Sequence, residues 1–142
     1  MTAKTPTLPT AEELLPVAKK FGVRLVVLFG SAARGKTHAE SDIDVGVLME
    51  RVPTFNQRLK LWQALCELFQ AEIDLAVLNH SKPLFGFRVG SEGKVLFESA
   101  AHEWEYWKSY AVRHYWDTAK FRDDLKKSLA RKVERARYAI SQ

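Results

Sequence analysis

The sequence predicts an α/β (α+β) fold: a small sheet flanked by helices, followed by a C-terminal helical extension. Two kinds of observation predict it. Short apolar, β-branched runs such as VRLVVLF and EIDLAVL alternate with longer stretches whose apolar residues recur at helical spacing. Helix-capping residues, glycines and prolines punctuate that alternation. At 142 residues the chain is one domain's worth of polypeptide, long enough to bury a real core.

The elements follow in order. MTAKTPTLPT has one Lys and no apolar segment, so residues 1–10 read as a disordered leader and not a signal peptide. Thr10-Ala-Glu-Glu13 has the form of a capping box and Gly22 suits a helix stop, which frames a first helix. Pro16 either kinks that helix or marks its first turn. Val23 to Phe29 is a continuous apolar run, the pattern of a buried strand, and Asp42 to Met49 is a second strand. Phe55 to Gln70 carries apolar residues at 55, 59, 61, 62, 65, 66, 68 and 69, which predicts a helix with a broad buried face. Glu72 to Leu78 is a third strand. Ser81-Lys-Pro83 opens a short helix, with Pro near its first position. A turn at Ser91-Glu-Gly93 leads to a fourth strand, Lys94 to Phe97. From about Ala101 the pattern is helical to the end.

Composition narrows the classes. Hydrophobic content of 46% and charged content of 27% are those of a soluble globular protein. The lone cysteine, Cys66, rules out an internal disulfide and fits a cytoplasmic compartment; within a helical pattern it reads as a buried structural thiol. No apolar run approaches the roughly 20 residues a bilayer-spanning helix needs. The net charge of +5 is concentrated in residues 120–142, which hold eight basic against three acidic side chains. Such a tail suits an acidic protein surface or nucleic acid, or is simply the solvated face of a helix.

The chemistry is signalled by FGSAARGKTHAESDIDVGV, residues 29–47. Asp is a poor strand former, yet two of them open the second strand. Side chains in a strand alternate faces, so Asp42 and Asp44 point the same way while Ile43 points into the core. Their Cα atoms lie about 6.6 Å apart, a separation that suits carboxylates shared between divalent ions. Without a cation they repel. Asp74 interrupts the third strand in the same manner and would complete the ligand set if that strand lies beside the second; Glu72, on the same face, competes for the role. Oxygen donors of this kind favour Mg²⁺ or Mn²⁺, and none of the four His has metal-site spacing with these Asp. Gly30 lets the backbone turn tightly after the first strand. Ser31 can cap a short turn whose free N–H groups bind phosphate oxygens, and Arg34 and Lys36 add positive charge there.

Gly30-Ser31, ten residues, then Asp42-x-Asp44 resembles the signature of the nucleotidyltransferase superfamily with the DNA polymerase β-like palm. The surrounding LFGSAARG…SDIDVGVL looks like its minimal nucleotidyltransferase subfamily. The resemblance implies a palm built on a small mixed sheet over residues 11–98 and a helical extension over 99–142. It implies two Mg²⁺ ions (Mn²⁺ in their place being acceptable) held by Asp42, Asp44 and Asp74, with those three as the catalytic residues. Gly30 and Ser31 match the triphosphate-binding pair of an NTP, most simply ATP, and Arg34 and Lys36 stand beside them. The implied reaction moves AMP to an acceptor hydroxyl.

Short members of this subfamily are often the antitoxin of a prokaryotic pair whose toxin is a helical HEPN-type ribonuclease, inactivated by adenylylation of a tyrosine. The resemblance therefore implies a protein partner met by the C-terminal helices. Two alternatives accompany it: a small-molecule, aminoglycoside-like acceptor, whose pocket a homodimer would have to supply, and a non-catalytic antitoxin acting by binding alone. A nucleic-acid substrate is disfavoured because no separate RNA-binding domain follows. EWEYWKSYAVRHYWD, residues 103–117, holds three of the four Trp and three of the four Tyr, either to pack over the sheet or to form the partner interface.

Overall fold

The computed structural model describes residues 8–30 and 43–141. Among the described residues five helices and four strands follow one another as α1 (Ala11–Phe21), β1 (Val23–Phe29), β2 (Ile43–Met49), α2 (Phe55–Phe69), β3 (Ile73–Val77), α3 (Pro83–Glu92), β4 (Lys94–Glu98), α4 (Glu103–Asp117) and α5 (Ala119–Ser141). The sheet is mixed, in the order β3-β2-β1-β4. β1 pairs antiparallel with β2 and β4, whereas β2 and β3 run parallel.

Both faces of the sheet are covered, which explains the unbroken apolar run of β1. Val26 and Leu28 face α1 and α2, joining Leu14, Leu61, Leu65 and Phe69 in the larger core. Leu25 and Val27 face the other way, against Val89 of α3 and Trp107 and Ala111 of α4. Thr10 caps α1 in the expected capping box, and Gly22 ends it in the left-handed region at φ 70. Pro16 sits inside α1, which starts at Ala11, so it does not mark the first turn. Pro83 opens α3 as expected.

Some expectations are corrected. Ser91 and Glu92 belong to α3, and Gly93 alone caps it. Cys66 is half-buried at the edge of the core, not enclosed by it. Phe55 and Leu59 do not reach the core: the buried stripe of α2 is Leu61, Leu65 and Phe69, and its first turns lie outside. The aromatic helix α4 divides its residues, with Trp104 and Trp107 stacked over the sheet and Tyr106, Tyr110 and Trp116 exposed. Helix α5 buries no residue.

The far end of the β2–β3 pair is clamped. Leu78 donates its N–H to the Val47 carbonyl at 2.8 Å. The Asn79 side chain then accepts from the Met49 N–H and donates to the Met49 carbonyl, each at 2.8 Å. One side chain thus stands in for a further rung of the ladder. Asn79→Ala leaves two backbone groups short of partners and should lower stability by about 1–3 kcal/mol, read as a shifted urea midpoint.

Candidate active site

Three strands deliver their residues to one end of the sheet. β1 arrives with its C-terminus, whereas β2 and β3 begin there. The register places Phe29 opposite Asp44 and Asp44 opposite Asp74. Registered neighbours share a face, so the two carboxylates stand side by side on strands about 4.8 Å apart. Ile43 and Ile73, the residues before them, point into the core on the other face. The alternation that buries the isoleucines is therefore what presents the aspartates. Asp74 is exposed and Asp44 half-buried.

Gly30 abuts Asp44. Its φ of +72 lies where glycine is favoured, and a Cβ built on it would fall 2.2 Å from Oδ2 of Asp44. No side chain fits there while that carboxylate keeps its position. Beside the carboxylates, Phe29 meets Phe85 of α3 edge-on, with ring centroids 5.5 Å apart, and this pair bounds the site on its β1 side. On the other side β3 is an edge strand among the described residues, but two of its outward carbonyls are engaged. Trp62 Nε1 donates to the Ile73 carbonyl and Arg58 Nη2 to the Leu75 carbonyl, each at 2.8 Å.

The structure therefore brings Gly30, Asp44 and Asp74 together. Ser31, Arg34, Lys36 and Asp42 lie outside the described residues. Glu72 precedes β3 and has no place in the register with Asp44, so Asp74 is the carboxylate of that strand that does. Among the described residues no three His, Cys, Asp or Glu side chains cluster as a metal site. What the described part offers a cation is two adjacent carboxylates, an oxygen-only donor set. That set fits a hard divalent ion, which would also relieve their mutual repulsion. Phe85, Arg58 and Trp62 were not legible as neighbours of the site, since nothing in a single sequence marks which helical residues overhang a strand's end.

A mixed sheet whose end carries paired acidic residues beside a tight glycine turn is the arrangement expected of a nucleotidyltransferase palm, and the family comparison places the chain in that class. The family described as polymerase beta, nucleotidyltransferase matches residues 12–102, and the chain belongs to it. A protein adenylyltransferase MntA of Aphanizomenon flos-aquae is 34% identical over 117 residues, covering 74% of this chain and 78% of that protein. The fold is shared with a chain of a toxin–antitoxin crystal structure with AMP-PNP, at a TM-score of 0.70 and 22% identity, covering 84% of this chain and 98% of that one. It is also shared with a chain from a complex of tri-AMPylated Shewanella oneidensis HEPN toxin with MNT antitoxin, at a TM-score of 0.64 and 20% identity, covering 84% and 95%.

Gly30→Ala tests the closeness of this packing. The added methyl is relieved most cheaply by rotating the Asp44 carboxylate, so the fold should survive with a loss of about 1–2 kcal/mol from the left-handed backbone. A crystal structure of the variant should show the carboxylate turned away; an unmoved carboxylate refutes the contact.

Proposed function

We propose that this chain is the antitoxin of a toxin–antitoxin pair and acts as a protein adenylyltransferase. It moves AMP from ATP to a hydroxyl, that of a tyrosine on a helical HEPN-type ribonuclease partner, and releases pyrophosphate. The observation that carries the reading is the registered pair Asp44–Asp74 with the Gly30 backbone packed against Asp44. The names of the relative and of the structural neighbours agree with it. No described helix is long and apolar enough to cross a membrane, and a cytoplasmic location suits such a pair.

In the reaction the phenolic oxygen bonds to the α-phosphorus, the bond from that phosphorus to the bridging oxygen breaks, and pyrophosphate leaves. The phenol's ordinary pKa is about 10, so its proton must be taken as the bond forms. Asp74 is the base: it stands at the outer strand, exposed enough to meet an incoming side chain. Gly30 and Ser31 hold the triphosphate, their N–H groups and hydroxyl donating to phosphate oxygens, with Arg34 and Lys36 offsetting its charge. Asp42, Asp44 and Asp74 would hold two Mg²⁺ ions, or Mn²⁺ in their place. When bound, these supply charge neutralisation for the attacking and leaving oxygens. The Gly30 backbone leaves room for the Asp44 carboxylate where a side chain would displace it.

The partner is met by α5. Phe121, Leu125, Leu129, Val133 and Ile140 are all more than half exposed on it, forming a seam at helical spacing. The excess of basic residues over 120–142 suits an acidic border on the partner's groove.

Three outcomes test the reading. With the co-purified partner, ATP and Mg²⁺, mass spectrometry should find AMP on a partner tyrosine. Asp44→Asn or Asp74→Asn should lower that transfer by about a thousandfold or more while the fold, followed by circular dichroism, stays intact. AMP on a small molecule or an RNA end instead sinks the reading. Truncation at Thr118 should weaken partner binding at least about tenfold and leave affinity for AMP-PNP unchanged by calorimetry; equal partner affinity removes α5 from the interface.

A further inference from the structure

The first turns of α2 pose a packing question. Phe55 is 79% exposed and Leu59 is 44% exposed, on a helix whose neighbouring stripe is fully enclosed. Four residues apart, they lie one above the other on the same face. Together with Trp62 and Arg58 they wall a groove of about 240 Å³ whose other side is Ile73, Asp74 and Leu75 at the free edge of β3. The groove therefore runs along the edge of the strand that bears one of the two paired carboxylates, with Asp74 among its lining residues.

The order across the sheet gives the groove a role. Phe29 and Gly30 end β1, Asp44 stands on β2, Asp74 on β3, and the groove lies beyond. Phosphoryl transfer runs with attacking and leaving oxygens roughly in line. With the triphosphate on the Gly30 side, the attacking hydroxyl comes from the Asp74 side, where the surface is this groove.

We infer that the groove between α2 and the edge of β3 is the acceptor subsite, with Phe55, Leu59 and Trp62 gripping an apolar side chain of the partner segment that carries the modified hydroxyl. The inference rests on the adenylyltransferase reading above and names the surface that selects its acceptor. The occupant, a segment of the partner, does not add to the sheet as an extended strand, because the Ile73 and Leu75 carbonyls that a strand would pair with are already taken by Trp62 and Arg58. A polycationic sugar acceptor finds little here: the lining offers it one carboxylate, Asp74, beside a guanidinium and apolar walls.

The test is steady-state transfer from ATP to the co-purified partner by Phe55→Ser, Leu59→Ser and the double variant. Lys60→Ala, on the solvent side of the same helix, serves as control. The apparent KM for the partner should rise at least about tenfold in each groove variant, with kcat at saturating partner and AMP-PNP affinity unchanged. Phe55→Trp should restore most of the lost affinity. A photo-cross-linking residue at position 55 should give an adduct on the partner segment bearing the modified tyrosine. Unchanged KM, an adduct elsewhere, or a parallel loss of AMP-PNP affinity overturns the groove alone and leaves the enzyme assignment standing. Absence of transfer by the unaltered chain overturns both.

Discussion

The parallel pairing of β2 with β3 is the constraint on which the site depends. A slip of one residue would turn Asp74 into the core and Ile73 out to solvent, and the carboxylate pair would cease to exist. Several interactions hold the register. The isoleucines at the site end are buried and cannot be exchanged for aspartates without large cost. Asn79 clamps the opposite end through both Met49 backbone groups. Trp62 and Arg58 fasten the outer edge of β3 to α2. Two carboxylates that repel each other are thus kept adjacent by hydrophobic burial and hydrogen bonding spread over the whole sheet.

The same edge fastening bears on solubility. An open edge strand offers unpaired carbonyls to any passing chain. Here those of Ile73 and Leu75 are consumed by side chains from the helix packed beneath. Among the described residues, the four-stranded sheet thus keeps its carboxylate-bearing strand at the rim while withholding two of that strand's carbonyls from pairing.

The fold was largely legible in the sequence for identifiable reasons. β1 was read to its full extent because both its faces are covered and no polar residue except Arg24 interrupts it. Asp44 and Asp74 stood out because a carboxylate in an apolar strand breaks a local rule, and Gly30 because it ends such a strand. What failed was equally physical. Periodicity shows that Phe55 and Leu59 share a helical stripe, but not that α2 begins outside the core, where both are exposed. The break between α4 and α5 had no glycine or proline to announce it. It arises at Thr118, whose hydroxyl donates back to the His114 and Tyr115 carbonyls, while Arg122 stacks on the Tyr115 ring at 4.0 Å. Ser91 and Glu92 have turn chemistry on paper, yet they form the exposed last turn of α3, which closes only at Gly93, whose N–H donates to the Val89 carbonyl.

Helix α5 carries a consequence for turnover. Most helical stability in proteins comes from tertiary packing, and none of these 23 residues is fully buried; beyond the first turn, where Arg122 stacks on Tyr115, the helix is exposed along its length. A segment held so lightly opens to solvent more readily than the packed elements, and it is the first stretch of the described fold that a protease can cut.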